Sequence, residues 1–334
     1  MTAKLITEYH KGADLYSDGA VEDELLELFR SGGDLSATLG SDRRWPILYH
    51  LSPDRRNLLE WFPFKKEGRL LEIGAGCGAL TGLFAEKAGK VTAVELSLKR
   101  SRIAYERCRS HDNLEIMAGN VCDVKFDGKF DYITLIGVLE YARSFASDGS
   151  MKAGNAAQNL LEYCATLLNP DGILFVAIEN KFGLKYFAGA HEDHSGRSFE
   201  SIEGYRADSP AETWSRDGLA SLLRQAGFTA QKFHYPYPDY KLPDEIFSDD
   251  YPPETNHVLQ NPPNYDRDRY RIFDEKTALL NIIAEGKFPF FANSFLVLAS
   301  KNERKTAHED VKSENYIEVV KTYREYFGLA PLPE

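Results

Sequence analysis

Two groups of residues in this chain have types and spacings that could do chemistry. The first is Glu72-Ile73-Gly74-Ala75-Gly76-Cys77-Gly78, followed by a second apolar run that ends on Glu95. An apolar strand, a loop with glycine at every second position, a helical pattern and a carboxylate after the next strand outline half of a nucleotide-binding βαβ unit. A dinucleotide fingerprint needs its third glycine at position 79, which is Ala79, and no Lys-Ser/Thr tail makes the loop a P-loop. Glu72 repels a pyrophosphate but attracts an ammonium, and Glu95 at a strand end can accept both hydroxyl protons of a ribose. A ligand with a cationic amino-acid end and a ribose, S-adenosylmethionine, fits this pattern better than NAD. The second group is Ala190-His191-Glu192-Asp193-His194, dense in titratable side chains and placed where a substrate should enter.

Glu72-Ile-Gly-Ala-Gly-Cys-Gly and Glu95 resemble the first two motifs of the class I S-adenosylmethionine-dependent methyltransferases. The resemblance implies a Rossmann-like, seven-stranded α/β fold with a mostly parallel sheet and an antiparallel last strand. It also implies a cofactor lying along Glu72, Gly74, Ala75, Gly76, Gly78, Glu95, Leu96, Val121 and Gly137. Where the family commonly carries Gly-Asp-Ala, with the acid accepting from the adenine amino group, this chain has Gly119-Asn120-Val121. Asn120 accepts through its amide oxygen, and Asp123 is the fallback. Tyr49, with His50 and Arg55, is a candidate lid on the cofactor.

Further segments resemble a bacterial subgroup found joined to, or beside, glycosyltransferases of surface polysaccharide assembly. They are Tyr16-Ser17-Asp18-Gly19, Trp45 to Pro53, Ile178 to Tyr186 and Glu192-Asp193-His194. That likeness implies a sugar O-methyltransferase with a glycosyltransferase partner, and Tyr16, Asn180, Lys181 and Glu192 as acceptor contacts. Methyl transfer to a sugar hydroxyl needs a base, because the hydroxyl holds its proton at neutral pH. Histidine with a carboxylate to fix its tautomer is the natural choice. His194 with Asp193 or Glu192 comes first, His191 second. A methyltransferase of a small natural product or amine, and a non-catalytic partner that binds S-adenosylmethionine, are the alternative readings.

The elements that must position these residues follow from periodicity and punctuation. Residues 1–66 read as an N-terminal helical lid, with a helix over 20–30, a turn over 45–53 and a helix over 55–62. Residues 67–235 read as the cofactor-binding core. Its strands are expected at 70–73, 91–95, 114–117, 131–137, 173–178 and 229–235, with helices over 79–88, 97–109, 155–168 and 215–226. Ligands of open α/β sheets bind at the carboxyl ends of strands, which places Glu140 and Tyr141 near the methyl donor. Residues 236–289, rich in Pro, Tyr and Asp, read as a cap inserted before the last strand at 290–300. A dimer contact or a plain roof is an equal reading of that cap. Residues 301–334 read as a charged linker and a final amphipathic helix over 315–327.

Composition bounds the partners. The chain has 334 residues, 43% of them hydrophobic, enough for a sizeable buried core. A net charge of −11, spread along the chain, disfavours nucleic acid as substrate. No apolar run is long enough for a membrane span, and a cytoplasmic location is the default expectation. The four cysteines stand singly, so neither a disulfide frame nor a zinc site is expected, and no metal is assigned.

Overall fold

The computed structural model describes residues 2–12, 17–145, 156–258, 260–264 and 267–302. Among the described residues, nine strands form one sheet: β1 Lys4–Ile6, β2 Arg69–Ile73, β3 Lys90–Glu95, β4 Leu114–Ala118, β5 Phe130–Ile136, β6 Leu168–Glu179, β7 Ala230–Tyr237, β8 Glu245–Ser248 and β9 Ser294–Ser300. Their spatial order is β1-β4-β3-β2-β5-β6-β9-β7-β8. Strands β4, β3, β2, β5 and β6 are parallel neighbours. β9 runs antiparallel between β6 and β7. This is the Rossmann-like arrangement with an antiparallel end that the glycine motif implies.

The strand count differs from the expected seven. β1 pairs with β4 from Lys4↔Glu115 to Ile6↔Met117. β8 pairs with β7 from His234↔Ser248 to Tyr237↔Glu245, so part of segment 236–289 extends the sheet. Both added strands lie at sheet edges and have three and four residues, too few to print an alternating pattern in sequence. Residues 169–172, between the helix expected over 155–168 and the strand expected over 173–178, form a bulge inside β6: Phe130 faces Leu168, and the next matched pair is Tyr132 with Ile173.

The inner strands are apolar on both faces, as parallel strands covered by helices must be. Leu71, Ile73, Ile133, Leu135, Leu174 and Val176 pack on one side. Leu70, Val91, Ala93, Tyr132, Phe175 and Ala177 pack on the other. Helices Leu98–Cys108 and Arg216–Gln225 start where Ser97 and Ser215 accept from the backbone N–H groups of Arg100 and Gly218. No helix among the described residues is long and apolar enough to cross a membrane.

The N-terminal segment departs from the sequence pattern. Trp45–Leu51 is a helix rather than a turn, and Pro46 sits in its first turn, where a missing N–H costs nothing. A further helix, Leu35–Ser41, is capped by Asp34 accepting from Ser36 and Ala37. The helix expected over 55–62 is a 3-10 segment, Pro53–Leu58. Tertiary bonds override the periodicity there. Arg55 Nη1 donates to the Lys241 carbonyl at 2.8 Å and Asn57 Nδ2 to the Pro243 carbonyl at 2.9 Å. Tyr16 and the helix expected over 315–327 lie outside the described residues.

Phe175, at the centre of β6, touches Phe62 edge-to-face with centroids 4.8 Å apart and also meets Phe64 and Tyr132. It is fully buried. Phe175→Ala is expected to cost about 3–5 kcal/mol of unfolding free energy, read by urea denaturation. A loss below about 1 kcal/mol would reject this packing.

Candidate functional site

The glycine loop turns because each of its three glycines takes a left-handed conformation, with φ of 75° at Gly74, 55° at Gly76 and 77° at Gly78. A Cβ on Gly74 would meet Val138 Cγ2 at 2.4 Å, whereas nothing lies within 4 Å of one built on Gly76. The loop is thus closed against the core on one side and open on the other. The open side faces a cleft of about 330 Å³. Glu72, Gly74, Ala75, Gly76, Glu95, Leu96, Val121, Gly137 and Tyr49 all line it, as do Glu140, Tyr141, Asp193 and His194. Gly78 does not line it; a Cβ there would meet Ala104, so this glycine lets the loop pass against helix Leu98–Cys108. Asn120 is also absent from the lining, and its Oδ1 accepts from the Cys122 N–H at 3.0 Å. Its neighbours Gly119 and Val121 face the cleft instead.

Two buried carboxylates flank the loop. The Thr81 hydroxyl donates to Glu72 Oε2 at 2.6 Å. Burial pushes the Glu72 carboxyl up to about 8, opposed by that hydrogen bond and reinforced by the nearby Glu95. Arg55 and Arg107 pull in the opposite direction. Glu95 Oε2 accepts from the Gly76 N–H at 2.8 Å and Oε1 from the Ser97 N–H at 2.9 Å. Each of these oxygens keeps a further lone pair, so the backbone bonds aim Glu95 without exhausting it.

The N-terminal segment closes over this end. Asp18 Oδ2 meets His50 Nε2 at 2.9 Å and Arg100 Nη2 at 2.7 Å, while Arg100 Nε donates to the fully buried Glu22 at 2.8 Å. Arg55 lies over the Tyr49 ring at 4.4 Å. Asp18, Trp45, His50, Arg55 and Arg100 all reach the cleft.

The opposite wall is built from loops after β5 and β6. His194 Nδ1–H donates to Glu192 Oε1 at 2.8 Å, leaving Nε2 at 3.6 Å from Glu140 Oε1 and 3.8 Å from Glu179 Oε2. Burial disfavours the imidazolium, but Glu179, Glu140 and Glu192 together hold it well above the usual histidine range. Burial raises the Glu140 carboxyl. Glu179 Oε1 accepts from Tyr240 at 3.3 Å and from Lys241 Nζ. Glu140 Oε2 and Glu179 Oε2 are buried with no hydrogen-bond partner among the described residues. Asp193 does not orient His194: it pairs with Lys185 at 2.9 Å and Lys241 at 3.1 Å and accepts from Tyr186. These lysines hold its carboxyl well below the ordinary range despite burial.

Other expected acceptor contacts stand elsewhere. Asn180 spends its amide on the carbonyls of Phe290 and Ala292 and on the Phe182 N–H. Lys181 lies over the rings of Phe182 and Tyr205. Glu192 serves His194 rather than the cleft. His191, with Nδ1 3.2 Å from Ser198 Oγ, lines a smaller adjoining pocket. The residues missed in sequence are Glu179, Tyr240 and Lys241. The strand-end rule that singled out Glu140 applies equally to Glu179, the last residue of β6. Tyr240 and Lys241 reach the cleft only by tertiary folding.

A family model described as a methyltransferase domain matches residues 48–232. An uncharacterized methyltransferase of Staphylococcus carnosus is 43% identical over 67 residues, 20% of this chain and 30% of that protein. A ribosomal RNA small subunit methyltransferase A of Syntrophus aciditrophicus is 30% identical over 82 residues, 25% of this chain and 27% of that protein. The chain therefore spans less than a third of the length of these curated relatives. A solved SAM-dependent methyltransferase from Thermotoga maritima is 16% identical, with a TM-score of 0.45 over 83% of this chain and 100% of that one.

The cradle fits S-adenosylmethionine: its backbone is open at Gly76, and buried acids stand at both ends. An ammonium pairs only with the ionised form of Glu72, so binding must draw off the proton that burial retains below about pH 8. Affinity for S-adenosylhomocysteine is therefore expected to rise by up to about tenfold per pH unit between pH 6 and 7.5, measured by calorimetry. Glu72→Gln should flatten that slope. An equally steep slope in the variant would show that another group titrates.

Proposed function

The chain belongs to the methyltransferase domain family, and from that premise we propose that it uses S-adenosylmethionine to methylate a hydroxyl of a polar, sugar-like acceptor. The observation that carries this reading is the pair of partnerless buried oxygens, Glu140 Oε2 and Glu179 Oε2, beside His194 on the wall facing the glycine loop. Buried polar atoms without partners are rare, and here they border a cleft large enough for a ligand. Hydroxyl groups would satisfy them by donating. Tyr141, Lys241 and Arg267 on the same wall add further polar contacts for such an acceptor.

Bound S-adenosylmethionine supplies a methyl group on a sulfonium sulfur, an electrophile that is already activated. The protein's tasks are alignment, exclusion of water and removal of one proton. Glu72 and Glu95 would hold the amino-acid and ribose portions, and Tyr49 and His50 would cover them. With that donor held by these residues, the acceptor oxygen would bond the methyl carbon as the carbon–sulfur bond broke and sulfur kept the electron pair. The hydroxyl proton passes to the free oxygen of Glu140. In this reading His194, fixed through Nδ1 by Glu192, orients the acceptor and the two carboxylates. The base expected in sequence at His194 is thus moved to its carboxylate neighbour. Asp193 and His191 take no part in proton transfer.

A second reading is favoured by the acidity of the wall, since Glu140, Glu179 and Glu192 around His194 would also suit a cationic amine. The glycosyltransferase partner implied by the subgroup likeness belongs with the sugar reading. Incubation with isotopically labelled donor and sugar-nucleotide, glycan and amine fractions, followed by mass analysis, separates the two readings. Label is expected on a hydroxyl oxygen; label only on nitrogen would overturn the proposal. Glu140→Gln and His194→Ala should each cut turnover by roughly a hundredfold while leaving S-adenosylhomocysteine binding nearly unchanged. A near-wild-type rate in Glu140→Gln would remove Glu140 from the proton path.

A further inference from the structure

We propose that Glu140, Glu179 and His194 form a binding site for one divalent cation of the manganese class. These three side chains offer ligand atoms that all lie within 4.8 Å of one another. The two distances from His194 Nε2, 3.6 Å to Glu140 Oε1 and 3.8 Å to Glu179 Oε2, already suit a shared ion. Ligands about 2.1 to 2.2 Å from one ion, 90° to 120° apart, lie roughly 3.0 to 3.8 Å from each other.

The surroundings are arranged as a metal site requires. His194 gives its Nδ1–H to Glu192 at 2.8 Å, which fixes the ring and points the other nitrogen at the two carboxylates. Glu179 has its Oε1 bound by Tyr240 and Lys241, while Oε2 is left partnerless. Glu140 likewise keeps Oε2 free while Oε1 approaches the imidazole. Both carboxylates are nine-tenths or more buried, so bulk water does not replace the missing partner. Around them five carboxylates, Glu140, Glu179, Glu192, Asp193 and Asp239, face two lysines and one imidazole. The balance is negative, and a divalent ion in place of the imidazole's proton corrects it.

The donor set selects the ion. Two carboxylate oxygens and one imidazole nitrogen, without thiolate, suit manganese, with magnesium as the weaker competitor. Three protein ligands leave about three of six positions toward the cleft, enough for two neighbouring hydroxyl oxygens. This role rests on the hydroxyl reading above: the ion lowers the pKa of the oxygen it holds, and the departing proton goes to the unligated oxygen of Glu140. The sequence assigns no metal, and the proposed ligands come from positions 140, 179 and 194, a spacing that matches no sequence pattern for metal binding.

The test is titration of the chelator-treated 334-residue chain with manganese, followed by electron paramagnetic resonance of the free ion. One ion per chain is expected, with Glu179→Gln and His194→Gln each weakening uptake by at least about tenfold. Heat on adding S-adenosylhomocysteine reports that each variant is folded. Protein that binds this nucleoside normally and takes up neither manganese nor magnesium overturns the site. So does methyl transfer to a hydroxyl at full rate with chelator present, an outcome that leaves the hydroxyl reading standing. Uptake of one ion with methyl transfer only to nitrogen sustains the site and sinks the hydroxyl reading.

Discussion

Four neighbouring parallel strands each deliver a buried carboxylate to the same side of the molecule: Glu95 from β3, Glu72 from β2, Glu140 just after β5 and Glu179 from β6. Desolvating a carboxylate costs several kcal/mol unless hydrogen bonds or positive charge offset it. The surrounding structure meets that demand unevenly. Glu95 is held by two backbone N–H groups and Glu72 by a hydroxyl, whereas Glu140 and Glu179 each keep an oxygen without a partner. The cleft is therefore an electrostatic hollow that waits for positive charge. A sulfonium nucleoside with a free ammonium answers one end of it, and the other end is left for the methyl acceptor.

This constraint explains why so much of the chain outside the sheet is tied to the cleft. Arg100 on helix Leu98–Cys108 reaches back to Asp18 and Glu22, which brings the N-terminal segment over the glycine loop. Arg55 crosses to the Lys241 carbonyl and joins that segment to residues beyond β7. Lys241 then closes the circuit on Glu179 and Asp193. Apart from the Arg55 bond to a carbonyl, these are buried or partly buried ion pairs, and their worth lies in holding geometry: removal of one partner strands a charge. The N-terminal segment, the core and segment 236–289 are thus tied to one another by polar contacts around the cleft.

Much of the fold was legible because the parallel strands are apolar on both faces and their helices carry serine caps. The glycine spacing and Glu95 indicated the nucleotide end of the cleft without any tertiary information. What failed was local and short. The edge strands have too few residues to show a period, and the segment after Pro53 follows the carbonyls of residues 241 and 243 rather than its own helical pattern. The acceptor end was legible only in part. Glu140 and His194 were singled out, but the pairing of Asp193 was not, because two lysines far along the chain claim its carboxylate.

The amino-acid order alone determined that a glycine turn between two acids must exist, since only glycine accepts left-handed backbone at three alternate positions and strand periodicity places the acids. Local rules of this kind need no partner from elsewhere. Tertiary structure decided which groups share a proton or a counter-ion. His194 faces Glu140 and Glu179 rather than Asp193, and Asn180 is spent on the carbonyls of Phe290 and Ala292. The physical reason is that electrostatic partnership depends on distance and burial in space, and residues 140, 179, 194 and 241 become neighbours only once the sheet has brought its strand ends together.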